Sequence, residues 1–336
     1  MNATKHDAEK PRKSLSIVIA STICMCMLFT GFKFPANAQV KFVRIAEFIY
    51  TNVTDVNWSP DGSRFAIVDF PSLHILDSTT WEPLLTIPDS GVSHVAWNSD
   101  GTRIASVAGG NPSSLYIWDS VTGACLQHLT IDYPSVVGGV FPMYQLAWSS
   151  NDRIIASDSY ATDILIWDTY SEDVSVLGSH DSGRVTEVDF SPQSDRIVST
   201  GSDGTVRIWD VDSGELVSAT EGGKSVDWHP AQDRILASSG STAAFVLSAD
   251  SGNRLMTMEH ESRVVLARWN FDGTLAAVSD ENEIVRIWDI GTGNIMGDIA
   301  NAFDLNIALT WHPERNVLAI ASYDGRISIW QIIDIP

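Results

Sequence analysis

Three features of the 336-residue sequence predict an all-β fold built as a ring of seven small sheets. A strand-like phrase that ends in an aromatic and a turn recurs seven times. A second aromatic slot follows each copy at a nearly constant distance. Short alternating apolar runs bounded by Gly, Pro, Asp and Ser fill the space between them. Self-similarity at a period of about 40 residues marks a repeat architecture, so it is read before any local element.

The first phrase reads VNWSPDG from Val56, VAWNSDG from Val95, LAWSSND from Leu146 and VDFSPQS from Val188. It continues as VDWHPAQ from Val226, ARWNFDG from Ala267 and LTWHPER from Leu309. Its aromatics, Trp58, Trp97, Trp148, Phe190, Trp228, Trp269 and Trp311, are 39, 51, 42, 38, 41 and 42 residues apart. The second phrase is IWD from Ile117, Ile166, Ile208 and Ile287, and IWQ from Ile329, with Leu76 and Leu247 in the same slot. It lies 18, 21, 19, 19, 19, 19 and 19 residues beyond the first aromatic. Eleven of the twelve tryptophans fall in these two slots, so the repeat accounts for the Trp content; Trp81 stands outside it.

The fourth copy shows the strands within a unit. Val185 to Phe190 alternates, Ser191-Pro192 turns, and Arg196 to Thr200 forms a second strand. Gly201 to Gly204 turns again, Thr205 to Asp210 is a third strand and Glu215 to Ala219 a fourth. One such sheet cannot bury both faces. Seven arranged radially can, each packing on the next, which is a β-propeller.

These copies resemble the WD40 repeat family, most closely in SDGTVRIWD (Ser202 to Asp210) and DENEIVRIWD (Asp280 to Asp289). The resemblance covers Lys41 to Pro336 and implies a seven-bladed β-propeller of four-stranded blades. The chain ends six residues after Trp330, so the last unit lacks a fourth strand. An extra alternating segment, Lys41 to Ala46, precedes the first unit, with Val43 and Ile45 expected on one face. This N-terminal strand is expected to complete the last blade, close the ring and remove an open sheet edge.

The resemblance also implies a hydrogen-bonded His, Ser/Thr, Asp and Trp network inside a blade. Only the fourth unit carries all four, as His180, Ser199, Asp203 and Trp209. The sixth keeps His260 and Trp288 with Ala277 in the hydroxyl slot; the seventh keeps Asp324 and Trp330; others retain Ser106, Ser157 or Ser238. A Ser-His-Asp set invites a triad reading. The resemblance implies instead that it pins loops and gives the Trp N–H a partner.

Residues 1–38 read as an address. Lys5, Lys10, Arg12 and Lys13 precede an uncharged apolar run, Leu15 to Gly31, and then Ala36-Asn37-Ala38. That is the order of a secretory signal peptide, with cleavage expected after Ala38. An uncleaved anchor is the alternative, at the short limit for a spanning helix. The expected organisation is a signal peptide over 1–38 and a propeller over 39–336, in a secreted or periplasmic protein.

The whole chain has 21 basic and 42 acidic residues, a charge of −21. Loss of residues 1–38 takes five basic and two acidic residues with it and leaves −24. Such a charge repels phosphate backbones, so nucleic acid is not an expected partner. Three cysteines, Cys24, Cys26 and Cys125, exclude a disulfide-dense scaffold. Cys125 sits in an apolar run and reads as a small core hydrophobe. The metalloprotease, dinucleotide and P-loop motifs are absent. His229 and His312, each before a proline, read as structural, and Asp280, Glu281 and Glu283 as a solvated acidic turn. No catalytic residue, metal or cofactor is expected.

The function these features imply is a non-catalytic extracytoplasmic protein-interaction scaffold, expected to be monomeric. A periplasmic binding module like the TolB family is the alternative, since its SPDG phrase resembles Ser59 to Gly62; a propeller enzyme with a channel site is a further one. A membrane is expected only through an uncleaved 1–38. The resemblance implies a partner on the face formed by the loops entering each first strand and joining the second and third. The long connection from Trp118 to Trp148 puts an apolar loop there, Tyr133 to Met143, including Phe141, either as a contact site or folded back to cap its own blade. Arg184, Lys224 and Arg263 precede or begin three successive first strands and form a basic arc, unless they merely pair with Asp181, Glu221 or Glu261. Tyr144 and Tyr323 are the expected aromatic contacts.

Overall fold

The computed structural model describes residues 39–335 apart from 89, 109–112, 132–142, 152, 159–161 and 301–304. Among the described residues there are 28 strands and no helix. The strands form seven four-stranded antiparallel sheets. Six take four consecutive strands; the other joins the first strand, Gln39–Ile49, to the last three. We number the sheets as blades 1 to 7 by their inner strands, Val53–Trp58, Val92–Trp97, Met143–Trp148, Val185–Phe190, Val226–Trp228, Val264–Trp269 and Asn306–Trp311. Each inner strand packs beside that of the next blade, and the seventh returns to the first. The sheets therefore form a closed propeller around a central channel.

The second strand of each blade shows why the ring holds. Arg64–Asp69 is buried at all four of its central positions. Successive side chains of a strand point to opposite faces. Phe65 and Ile67 accordingly pack against Ala319, Ala321, Ile327 and Ile329 of blade 7, whereas Ala66 and Val68 pack against Val95, Trp97 and Ile104 of blade 2. Burying one such large apolar side chain stabilises by roughly 1.5–3 kcal/mol. The stability of every blade is thus shared with both neighbours.

The N-terminal strand closes the ring with a change of face. Gln39–Ile49 pairs antiparallel with Arg326–Ile335, longer than the segment read from the sequence. Val43 and Ile45 do not share a face as expected, because the register shifts between Arg44 and Ala46 and leaves Ile45 unpaired. A bulge of one residue turns everything beyond it to the other side of the sheet. Val40 and Phe42 therefore pack into the seam between blades 6 and 7, while Ala46, Phe48 and Tyr50 pack into the seam between blades 7 and 1. Ile45 itself is 46% exposed. The same kind of bulge joins the third and outer strands of the other six blades.

Turns reinforce two seams. His312 of blade 7 lies against Gly62 of blade 1, and His229 of blade 5 against Gly273 of blade 6. Each ring accepts backbone N–H groups of its own turn at Nδ1, 3.1 Å from Glu314 for His312 and 3.0 Å from Ala231 for His229. Each also meets the backbone of the neighbouring glycine. Both glycines have positive φ, 65° and 71°, a conformation that a Cβ disfavours. Burial holds both imidazoles below the ordinary histidine range, so they stay neutral in these seams.

Candidate functional site

The central channel contains a cavity of about 440 Å³ lined by the inner strands. Its carboxylates and its arginine sit one or three places before the aromatic that ends each strand. Asp55, Glu187, Asp189, Asp227 and Arg268 supply the charge, with His94 and His312 also on the wall. The carboxylates bind the next blade. Asp55 accepts the Val95 N–H at 3.0 Å, Glu187 the Val226 N–H at 2.8 Å, Asp189 the Trp228 N–H at 2.7 Å and Asp227 the Trp269 N–H at 2.5 Å. Tryptophans bind backward: Trp58, Trp269 and Trp311 donate Nε1–H to the carbonyls of Thr310, Asp227 and Arg268. Arg268 forms an ion pair with Glu187, two blades away, and donates to Ser225 of the intervening blade at 2.7 Å.

Burial governs the protonation of this channel. It pushes Asp55 up to about 7, against the opposing pull of the Val95 and Val56 N–H groups. Burial raises Asp189 as well, and raises Asp227 further because the Asp189 charge adds to it. Arg268 is also buried, yet Glu187 and Asp227 hold it above its ordinary range. The sequence reading did not single out these residues. The signal was present as charges at matching offsets before successive repeat aromatics, DVNW, EVDF, VDW and ARW, on strands that otherwise alternate.

In blade 4, His180, Ser199, Asp203 and Trp209 are joined. Trp209 Nε1 donates to Ser199 Oγ at 2.9 Å, His180 Nε2 lies 2.9 Å from the same oxygen, and His180 Nδ1 lies 3.1 Å from Asp203. Thr205 and Arg207 extend the chain of bonds to Asp181. Ser199 is fully buried and already shared by Trp209 and His180.

Register alters the mapping in other blades. Ser199 pairs with Val188, and the matching pairs are Ala267 with Val278 in blade 6 and Val226 with Ala237 in blade 5. The hydroxyl slots are therefore Val278 and Ala237, one residue from the Ala277 and Ser238 expected, and one residue along a strand reverses the face. Ser238 Oγ instead accepts the Lys224 and Ser225 N–H groups. In blade 6, Trp288 donates directly to His260 at 3.3 Å, and buried Asp280 approaches His260 at 3.8 Å. Asp280 is thus no part of a solvated turn. In blade 7, Asp324 pairs with Arg326 and Trp330 donates to Ser328. In blade 2, Trp118 donates to Ser106 at 2.7 Å.

The proposed docking face receives several of the expected residues. Arg184, Lys224 and Arg263 stand at the entries of the inner strands of blades 4, 5 and 6. Arg184 and Lys224 are exposed; Arg263 is half-buried, donates to the Gly240 carbonyl at 3.0 Å and pairs with Glu281. Asp181 pairs with Arg207. Tyr323 is 73% exposed at the same face, its N–H bonded to the Leu305 carbonyl. Phe141 and the loop 133–142 lie outside the described residues, and Tyr144 is described only as part of the inner strand of blade 3. Cys125 is exposed, because it opens an outer strand with one face in solvent, and is not the core residue expected.

A family model described as WD domain, G-beta repeat matches residues 81–119, 171–210, 252–289 and 304–331. Each match ends within the third strand of a blade. The chain belongs to the WD40 repeat family. WD repeat-containing protein 1 of Gallus gallus is 28% identical over 315 residues, 88% of this chain and 44% of that protein. The U5 small nuclear ribonucleoprotein 40 kDa protein of Dictyostelium discoideum is 29% identical over 250 residues, 70% of this chain and 68% of that protein. The Intraflagellar transport protein 80 homolog of Rattus norvegicus is 41% identical over 58 residues, 17% of this chain and 8% of that protein. The chain thus spans less than half the length of the first and third of these relatives.

Proposed function

We propose that this WD40 propeller is a non-catalytic scaffold that docks a protein partner on the face where the inner strands begin. One observation carries the reading: Arg184, Lys224 and Arg263 fall on three successive blades of that face, with exposed Tyr323 on the same side. These cations stand out on a protein of charge −24 without residues 1–38. Local charge complementarity of this kind steers association and fixes register more than it adds affinity. An acidic or amphipathic protein surface is the matching partner. The Ser-His-Asp set of blade 4 supports a scaffold reading, because its hydroxyl is bonded to Trp209 in the core.

The propeller is proposed to act outside the cytoplasm, after export directed by residues 1–38. This rests on the order of basic, apolar and small residues in that segment, which lies outside the described residues. N-terminal sequencing of the secreted protein should begin at Gln39. A full-length, membrane-retained product would place the chain on an anchor instead.

The docking reading is tested by an Arg184→Ala, Lys224→Ala, Arg263→Ala variant beside a deletion of residues 136–140. Both are expected to melt cooperatively and to lose the partner retained by the unaltered protein. Retention by both moves the site to another face.

A further inference from the structure

The channel holds more carboxylates than its one guanidinium can serve. Arg268 is the channel-lining cation that is charged at all accessible pH, and it is committed to Glu187, Ser225 and the Ala267 carbonyl. Asp55, Asp189 and Asp227 remain. Each is fixed by a bond to the next blade, so none can swing away to relieve the repulsion. Backbone donors distinguish them. Asp55 accepts from Val56 and Val95, and Asp189 from Phe190 and Trp228, at 2.7–3.0 Å. Asp227 accepts from Trp269 and lies between Asp189 on blade 4 and Arg268 on blade 6. Two donated N–H bonds favour an ionised carboxylate; fewer donors beside a like charge favour the neutral acid.

We infer that Asp227 carries a proton at neutral pH, and that this proton lowers the negative charge of the channel as a built-in acid-favouring device. The charged groups around it are Glu187 and Asp189 from blade 4 and Arg268 from blade 6, with Asp55, His94 and His312 farther along the channel wall. On the strands packed behind it, Arg196 pairs with Asp250, and Arg234 stands at the end of the second strand of blade 5. Burial and the Asp189 charge both act to keep the proton in place. The sign follows from linkage. A carboxyl raised in the fold gives the native state more bound protons than the unfolded chain between about pH 4 and its native value, so its contribution is lost as pH rises. Loss of the proton leaves an additional anion beside Asp189, and the seams between blades 4, 5 and 6 bear the repulsion.

The test is carboxyl carbon NMR on protein labelled at aspartate, with D227N, D189N and D55N variants. At pH 7 the wild-type protein should show a neutral carboxyl resonance that persists in D55N and disappears in D227N. In unfolding measurements from pH 5 to 8, the folding equilibrium constant of the wild type should fall relative to D227N by up to about tenfold per pH unit. In D189N the titration of Asp227 should move down, because a like charge is gone. Ionised resonances for every aspartate of the wild type at pH 7 overturn the inference, and that spectrum decides even if D227N fails to fold. A neutral resonance that disappears in D55N alone assigns the proton to Asp55 and overturns it equally.

Discussion

Arg268 on blade 6 spans blade 5 to bond the carboxylate of Glu187 on blade 4. Both side chains are largely buried, so neither has ready compensation from water. Removing one partner of such a pair typically costs about 3–5 kcal/mol, whereas replacing both with apolar residues is often close to neutral. Arg268→Leu is therefore expected to destabilise strongly in urea titration, and Glu187→Leu with Arg268→Leu to recover much of the loss. A double variant no better than the single would show that Arg268 acts through its carbonyl and Ser225 bonds instead.

Gly273 and Gly204 separate contact from conformation. Both have positive φ, 71° and 78°, but a Cβ on Gly273 strikes the His229 ring and one on Gly204 meets nothing within 4 Å. Gly204→Ala should cost about 1–2 kcal/mol from backbone strain alone. Gly273→Ala should cost clearly more, and His229→Ala should remove the excess. Calorimetric melting of the three variants and the Gly273→Ala, His229→Ala double variant checks this.

The N-terminal strand serves two seams through one bulge. Phe42 belongs to the seam between blades 6 and 7 and Phe48 to that between blades 7 and 1, where it meets Trp81 at 5.2 Å. Deleting residues 39–49 should lower the melting temperature and promote self-association, because it opens a sheet edge. Phe42→Ala and Phe48→Ala should each cost roughly 2–4 kcal/mol as large-to-small changes. Hydrogen exchange should locate the first loosening in blade 6 for Phe42→Ala and in blade 1 for Phe48→Ala.

Two buried groups give opposite pH slopes. Burial holds His180 below the ordinary histidine value, despite Asp203, so the native state binds fewer protons than the unfolded chain below about pH 6.5. Its contribution is present above that pH and lost on acidification. His180→Gln should therefore lose less stability than the wild type between pH 6.5 and 5. Asp55, raised to about 7, works the other way. Its contribution is full below about pH 4 and lost as pH rises toward 7, so the advantage of the wild type over Asp55→Asn should grow on acidification. Chemical unfolding at several pH values reads both slopes.

The blades were legible in the sequence because inner and third strands end in large aromatics at near-fixed spacing, and Trp58, Trp209 and Trp288 all occupy those slots. The clasp was legible from a missing outer strand and an extra alternating segment. Its change of face was not, since a bulge at Ile45 leaves no mark in an apolar alternation. The hydroxyl slots of blades 3, 5 and 6 were read one residue out, because Ser157 and Ser238 are nearby serines while register sets Ala156 opposite Leu146 and Ala237 opposite Val226. The channel was overlooked for a different reason. Asp189 and Asp227 look like ordinary strand-end carboxylates, and only closure of the ring brings them against Arg268.

Site-specific crosslinking locates the docking face. A photo-crosslinking residue is placed at Tyr323 or Lys224 on that face, and at Tyr170, 73% exposed at the opposite end of blade 3. In the source cells, discrete adducts of one partner are expected from Tyr323 and Lys224 and none from Tyr170. Adducts from Tyr170 alone would put the partner on the face where the inner strands end.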